Sequence, residues 1–296
     1  MTKHARNIAG KLPPLRHGAP APAALIERRE MIANSRKHIA VDPGVTVVER
    51  QCGGVSGLAC SVPGATRTIL HLHGGGYRLG DPRTWVPFAA WLARVARAHV
   101  FLPDYRLAPE HPFPAAIHDA VNVYADLAES GGGGGAAPLV SGDSAGGGLA
   151  AALVVALGGL DLAPPPGLLM ISPWLDLTVE SGTFASRAAR DKLFSREAAI
   201  EGSGQYLQGH SPRDPLASPL FADVAGFPPT QIFAGGEEVL LGDTVAFAAR
   251  LAEAGVSVES HVVAGMQHVW PTVFPELPES VAAMEAMARF ADRVLR

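Results

Sequence analysis

The chain has 296 residues, of which 48% are hydrophobic, and its formal net charge is −4. That length accommodates one large domain, and the weakly acidic charge, without runs of Lys or Arg, excludes the basic surface that nucleic-acid binding needs. Pro, Gly, Arg or Asp interrupts every apolar stretch before it reaches the length of a bilayer span, and no secretory leader follows the basic N-terminus. We therefore expect a cytoplasmic protein without stable membrane association that binds a small neutral molecule.

The first 40 residues stand apart from the rest of the pattern. Pro22 precedes a helix predicted over Ala23–Ile39, as Pro commonly does at a helix start. From about residue 46 onward, short apolar runs alternate with helix-length segments, which is typical of a mostly parallel sheet with helices on both faces. We divide the chain into an N-terminal helical segment, 1–40, and a main α/β domain, 41–296.

Eight strands are predicted for the main domain. They cover Val45–Arg50, Gly57–Val62, Thr68–His73, Ala98–Leu102, Pro138–Ser141, Gly167–Ile171, Thr230–Ala234 and Val256–Val263. The first two flank Gln51–Ser56 and are expected to form an antiparallel hairpin, across which Cys52 and Cys60 could face each other. In a reducing compartment two free thiols are the more common outcome, and neither Cys has a neighbouring His or basic group that marks a nucleophile.

Residues 173–229, which contain many Pro and Ser residues, form a long insertion between the sixth and seventh strands and interrupt the alternation of strands and helices. It contains a predicted helix at Ser195–Leu207. Together with residues 1–40, this insertion is expected to form a cap over the carboxyl edge of the sheet, where open α/β folds bind ligands. The alternative is surface decoration, but loops of this length in compact domains are more often functional.

The pentapeptide Gly142-Asp143-Ser144-Ala145-Gly146 connects a buried strand pattern to an apolar helix pattern. Its two glycines lack the side chains that would block a sharp turn, and such a turn exposes the Ser144 hydroxyl. The same pattern also fits an ordinary strand-to-helix packing turn, so its partners decide between the two. With the partners below, we predict that Ser144 is a nucleophile.

A second motif, His73-Gly74-Gly75-Gly76-Tyr77, follows the third strand directly. Acyl transfer places negative charge on a carbonyl oxygen, and bare backbone N–H groups approach that oxygen only where side chains are absent. We assign an oxyanion hole to the N–H groups of Gly75, Gly76 and Ala145.

A serine nucleophile needs a general base, and in a strand-to-helix turn of this kind the acid and then the His follow the serine along the chain. Of His210, His261 and His268, only His268 lies in a loop just past the final strand, and it is the predicted base.

The supporting acid is expected in the loop after the seventh strand. Glu238 is our assignment, and it precedes the histidine by enough residues for one helix, one strand and a return loop. Glu237 is a close competitor, whereas Asp243 fits the first turn of the next helix.

These residues give the chain its resemblance to the bacterial hormone-sensitive lipase-like esterases. Four motifs carry it over roughly residues 65–290: His73-Gly74-Gly75-Gly76, Asp104-Tyr105-Arg106-Leu107-Ala108-Pro109-Glu110, Gly142-Asp143-Ser144-Ala145-Gly146-Gly147 and Gly265-Met266-x-His268. The resemblance implies an α/β-hydrolase fold with an eight-stranded sheet and a helical cap, and hydrolysis of short-chain acyl esters without metal or cofactor. Members usually carry Asp-Pro-Leu where this chain has Glu238-Val239-Leu240, so the acid is the point of departure.

The substrate pocket is expected to use aromatic and thioether side chains near these motifs. The candidates are Tyr77, Trp85, Trp174, Phe194, Tyr206 and Met266, each of which could equally pack in the core. An amide, carbamate or lactone substrate stays open, as does a non-catalytic small-molecule receptor, although the presence of His268 favours an enzyme. The resemblance also implies a homodimer that pairs through Val256–Val263 and Ser280–Leu295.

Overall fold

A central sheet of eight strands organises the protein, whose computed structural model describes residues 10–130, 136–160 and 162–296. The strands are β1 Thr46–Cys52, β2 Val55–Ser61, β3 Arg67–Leu72, β4 Ala98–Pro103, β5 Leu139–Asp143, β6 Leu168–Ile171, β7 Thr230–Gly235 and β8 Val258–Val263. Their order is β1-β2-β4-β3-β5-β6-β7-β8, and only β2 runs against the others. The predicted eight-stranded, mostly parallel sheet is confirmed.

Helices cover both faces of the sheet. Those of the described residues are α1 Ala23–Ser35, α2 Pro82–Ala96, α3 Ala115–Ser130, α4 Ala145–Gly158, α5 Thr183–Ser186, α6 Arg196–Leu207, α7 Leu241–Glu253, α8 Trp270–Val273 and α9 Pro278–Val294. Alternate strand residues enter two separate cores: Leu139 packs with α2 and α9, and Val140 packs with α3 and α4. Since both faces are covered, an inner strand such as β6 is a continuous apolar run in the sequence, whereas the edge strands β1 and β8 contain charged residues.

The predicted hairpin is present, with a tighter turn than expected. The predicted connection ran over Gln51–Ser56, but Cys52 pairs directly with Val55, and only Gly53 and Gly54 form the turn. Both glycines have positive φ, 59° and 82°, as a two-residue hairpin turn requires.

The two cysteines lie on opposite faces of this hairpin and are free thiols. Cys60 is opposite Val47 in the strand register, so no disulfide geometry is available. Burial raises the pKa of each thiol to about 12, which keeps both in the unreactive protonated form.

The N-terminal helix is shorter than predicted. It begins at Ala23 as expected but ends at Ser35 rather than Ile39, because Arg36 leaves helical geometry with φ −111° and ψ 10°. Residues 1–9 of the predicted N-terminal segment lie outside the described residues. Within the described part of the chain, no helix combines the length and apolar character needed to cross a bilayer.

Candidate active site

The site is built where parallel strands end. β3, β5, β6, β7 and β8 all point their carboxyl ends at one edge of the sheet, and the loops that follow them therefore meet there. These loops bring together the glycine run after β3, Ser144 after β5, Glu238 after β7 and His268 after β8. Residues separated by more than 120 positions become neighbours for this reason.

Ser144 occupies a strained turn between β5 and α4. Its φ of 52° and ψ of −124° are unfavourable for a residue with a side chain. A Cβ at Gly142 would lie 2.2 Å from the carbonyl oxygen of Gly146, and one at Gly146 would lie 2.0 Å from that of Leu72. Only glycine fits at these two positions. The sharp turn therefore holds the Ser144 hydroxyl at the end of β5, at the carboxyl edge of the sheet.

His268 faces this hydroxyl directly. Its Nε2 lies 2.9 Å from Ser144 Oγ, which is hydrogen-bond distance. Burial lowers the pKa of His268, but the contact with Glu238 and the charges of Glu238, Asp191 and Asp143 raise it, and the net pKa lies above its usual value. Phe194 stacks on the imidazole with ring centroids 5.4 Å apart and restricts its orientation.

The two candidate acids occupy different environments. Glu238 is fully buried, and its Oε2 lies 3.6 Å from Nδ1 of His268. Glu237 instead points to the surface, where its carboxylate lies 3.5 Å from Arg190. Asp243 is also buried but accepts backbone N–H groups from the loop after β6. Of these carboxylates, only Glu238 reaches the histidine.

Ser172, which the sequence did not single out, supports this carboxylate. It follows β6, and its hydroxyl donates to Glu238 Oε2 at 2.6 Å while accepting the backbone N–H of Val269 at 2.9 Å. The signal for it was its place directly after the strand between β5 and β7, at the edge where the other site residues lie.

The glycine loop after β3 presents unpaired backbone donors beside Ser144. Gly75 and Gly76 have φ of 119° and 62°, and both line the cavity that contains the serine. Among the described residues, no acceptor takes a hydrogen bond from the N–H groups of Gly75, Gly76 or Ala145. These three groups are thus free to bind an oxygen atom of a ligand.

A buried polar network supports the glycine loop from below. Asp143 Oδ1 accepts the backbone N–H of Gly74 at 3.0 Å and lies 3.3 Å from His71 Nε2. Burial raises the pKa of Asp143. The contact with His71 and the charge of Arg36 act in the opposite direction, and the net pKa lies below the usual value. The loop is therefore tied to the residue next to Ser144.

A cavity of about 610 Å³ opens onto Ser144 and His268. Of the six predicted pocket residues, Trp85 and Phe194 line it. Tyr77, Trp174 and Tyr206 are instead buried in the core, where Tyr77 and Tyr206 stack with centroids 3.9 Å apart. Met266 packs against the core on the α2 and α9 side of the sheet. These four side chains do not line the cavity, because the three aromatic ones pack in the core and Met266 packs against the other core.

Both segments predicted as a cap border this cavity. Ile32 of the N-terminal segment and Leu193 and Ala198 of the insertion contribute to its wall. Arg28 of α1 lies 3.4 Å from Glu201 of α6, which links the two segments. Among the described residues, no cluster of three or more His, Cys, Asp or Glu side chains is placed to hold a metal ion.

Comparison with known proteins agrees with this architecture. A family model described as alpha/beta hydrolase fold matches residues 69–272. The chain is 39% identical to "Acetyl-hydrolase" of Streptomyces hygroscopicus, over 76% of this chain and 75% of the relative, and 36% identical to "Esterase" of Acinetobacter venetianus, over 77% and 75%. A solved esterase of the bacterial hormone-sensitive lipase family has a TM-score of 0.89 at 32% identity, over 100% of this chain and 99% of that one.

The chain belongs to the alpha/beta hydrolases and, within that fold, to the bacterial hormone-sensitive lipase-like esterases. It is a carboxylic ester hydrolase, as its relatives are named, and the receptor alternative is set aside.

Proposed function

We propose that the protein is a serine carboxylesterase that hydrolyses short-chain acyl esters through Ser144, His268 and Glu238. The observation that carries this proposal is the 2.9 Å contact between His268 Nε2 and Ser144 Oγ inside a cavity at the carboxyl edge of the sheet. A hydroxyl in contact with an imidazole can lose its proton as it attacks a carbonyl carbon.

In the proposed cycle, Ser144 Oγ attacks the ester carbonyl and His268 accepts the hydroxyl proton. The carbonyl oxygen becomes an oxyanion that the N–H groups of Gly75, Gly76 and Ala145 stabilise. His268 then returns the proton to the leaving alcohol, which yields an acyl-enzyme. Water repeats the sequence on the acyl-enzyme and releases the acid.

Glu238 keeps its carboxylate toward Nδ1 of His268 and stabilises the imidazolium that forms during each step. The distance of 3.6 Å shortens to hydrogen-bond length with a small movement of either side chain. Full burial strengthens this charge interaction because little water screens it.

The cap supports a preference for short acyl chains. Residues of α1 and of the insertion, among them Ile32 and Phe194, enclose the cavity above Ser144. The volume of about 610 Å³ must hold both the acyl and the alcohol part of the substrate. We propose that the described part of segment 1–40 and segment 173–229 form this cap and set the chain-length limit.

A panel of p-nitrophenyl esters from acetate to palmitate tests the proposal. We expect the highest kcat/KM for acetate or butyrate and a fall of about 10³-fold or more in Ser144→Ala. Wild-type activity in Ser144→Ala would overturn the nucleophile assignment. Preferential hydrolysis of palmitate would overturn the chain-length assignment, and faster turnover of matched anilides or lactones would change the substrate class.

A further inference from the structure

An arginine with unused hydrogen-bonding capacity borders the cavity. Arg36 follows α1, and its guanidinium carbon lies 4.6 Å from the ring centre of Trp85. Its Nη1 is sealed from solvent, and no atom of the described residues accepts a hydrogen bond from it. The indole Nε1 of Trp85 is likewise buried without an acceptor. Both side chains line the cavity, and neither of these donors has a hydrogen-bond partner among the described residues.

The other two arginines of the cavity wall are already occupied. Arg78 lies 2.7 Å from Glu201 and also donates to Gln205 and to the backbone of Ala198. Arg28 lies 3.4 Å from the same Glu201. The lack of an acceptor is therefore particular to Arg36 and is not a general property of this wall.

Asp143 is the charged residue that acts on Arg36, but the two do not form an ion pair. Burial lowers the pKa of its guanidinium, and the charge of Asp143 raises it. Asp143 forms no ion pair with it, since that carboxylate contacts Gly74 and His71. A guanidinium stays protonated in proteins, so Arg36 is a cation without an ion-pair partner among the described residues, and an incoming anion would stabilise it.

We propose that Arg36 forms an anion subsite within the substrate cavity, and that the preferred esters carry a carboxylate in addition to the scissile ester. This inference rests on the proposed function, because it assumes that esters bind in the cavity in front of Ser144. It also changes the expectation of a neutral ligand. The guanidinium lies over the Trp85 ring, which limits its movement, and a planar guanidinium suits a carboxylate.

Two pairs of esters that differ only in charge test the subsite. For the acyl side we compare monoethyl glutarate with ethyl 4-carbamoylbutanoate, and for the alcohol side 4-acetoxybutanoate with 4-acetoxybutanamide. In at least one pair, we expect the carboxylate to be preferred over its amide by about tenfold or more in kcat/KM. Arg36→Met should lower that preference by about 10- to 100-fold, and Arg36→Lys should retain part of it.

Arg289→Met is the matched control, because it removes the same charge from an exposed site that, within the described part of the chain, pairs only with Glu285 on the same helix. Its carboxylate preference should equal that of the wild type. As a second readout, glutarate should inhibit hydrolysis of p-nitrophenyl acetate competitively in the wild type, with a Ki about tenfold or more higher in Arg36→Met.

Different results would overturn the anion subsite and the proposed function. No preference for either carboxylate, or a preference unchanged in Arg36→Met, would overturn the anion subsite while Ser144-dependent hydrolysis of neutral esters persists. Loss of the preference in Arg289→Met as well would assign it to net charge and overturn the subsite too. Absence of Ser144-dependent hydrolysis of every ester would instead overturn the proposed function.

Discussion

Ser172 Oγ lies 2.6 Å from Glu238 Oε2, so the carboxylate that faces His268 is held by a hydroxyl from the adjacent strand end. The same hydroxyl accepts the N–H of Val269, which directly follows the histidine. One side chain therefore ties together the loops after β6, β7 and β8. Among the described residues, no partner forms a hydrogen bond with two buried polar atoms of the site, Glu238 Oε1 and His268 Nδ1.

Ser172→Ala should lower kcat by about 10- to 100-fold, because a hydrogen bond to a charged group is worth about 1.5–3 kcal/mol. Without the hydroxyl, the negative charge of Glu238 is no longer shared with a hydrogen-bond donor, so it should raise the pKa of His268 more strongly. The acidic limb of the kcat/KM profile should then move to higher pH. Steady-state kinetics from pH 5 to 9 measure both effects. Ser61→Ala is the control, since its hydroxyl contacts His99 away from the site. An unchanged pH profile would contradict the prediction that Ser172 acts on His268 through Glu238.

Glu238→Gln should shift the pH profile in the opposite direction. The reaction needs neutral His268, so kcat/KM falls as the pH drops through the pKa of this residue, which Glu238 holds above its usual value. Removing the carboxylate charge leaves burial, which lowers the pKa, and the acidic limb should move to lower pH.

The maximum rate of Glu238→Gln should also fall, by about 10²- to 10⁴-fold. Glu237→Gln serves as the matched control, because Glu237 pairs with Arg190 at the surface. A larger loss of activity in the control than in Glu238→Gln would reverse the assignment of the acid.

Asp143→Ala should disturb the glycine loop more than Asp143→Asn. Either oxygen-bearing side chain can accept the N–H of Gly74, whereas Ala leaves this buried donor unpaired. We expect kcat to fall by about tenfold or more in the Ala variant, with most of it recovered in Asn, and with KM changed much less. Kinetics and thermal melts of both variants check this. A loss of Tm with equal changes in kcat and KM would point to a structural role alone.

Asp243 makes stability depend on pH. Its Oδ2 accepts the N–H groups of Leu175 and Asp176, each at 3.0 Å. Burial, aided by nearby Asp176 and Glu238, raises the pKa of Asp243 to about 8, against about 3.9 in an unfolded chain. Between these values the native state binds more protons than the unfolded state, so this group's contribution to stability declines as pH rises toward 8.

Asp243→Asn keeps an acceptor for both N–H groups and cannot ionise. Its free energy of unfolding relative to the wild type should therefore increase from pH 5 to pH 8, as urea titrations at the two pH values would measure. Asp243→Ala, which loses the acceptor, should be destabilised by about 1–3 kcal/mol. An Asn-minus-wild-type difference that is flat with pH would contradict the raised pKa.

A homodimer stays a prediction. β8 lies at the edge of the sheet, and Val262 on it is 48% exposed. An open edge strand offers unpaired backbone groups to a second copy. We expect a dimer by light scattering at micromolar concentration, and Val262→Lys should shift it to monomer. A wild type that is monomeric throughout this range would end the proposal.

The secondary-structure elements and the chemistry of the residues at their ends could be predicted from the sequence. Gly142 and Gly146 around Ser144, and the glycine run after His73, are local requirements of backbone approach and can be read along the chain. Alternation of short apolar runs with helix-length segments predicts a mostly parallel sheet, which is why all eight strands and the carboxyl-edge position of the site were predictable.

How side chains from different loops meet could not be predicted from the sequence. Glu237 and Glu238 are adjacent in sequence and chemically equal, and their separation depends on which one the turn after β7 directs inward. Which residues line the cavity likewise depends on tertiary packing. Tyr77 and Tyr206 stack in the core, whereas Arg36, at the end of a helix, lines the cavity. A pattern along the chain records residue type and spacing, and it carries no information on side-chain direction where the backbone turns irregularly.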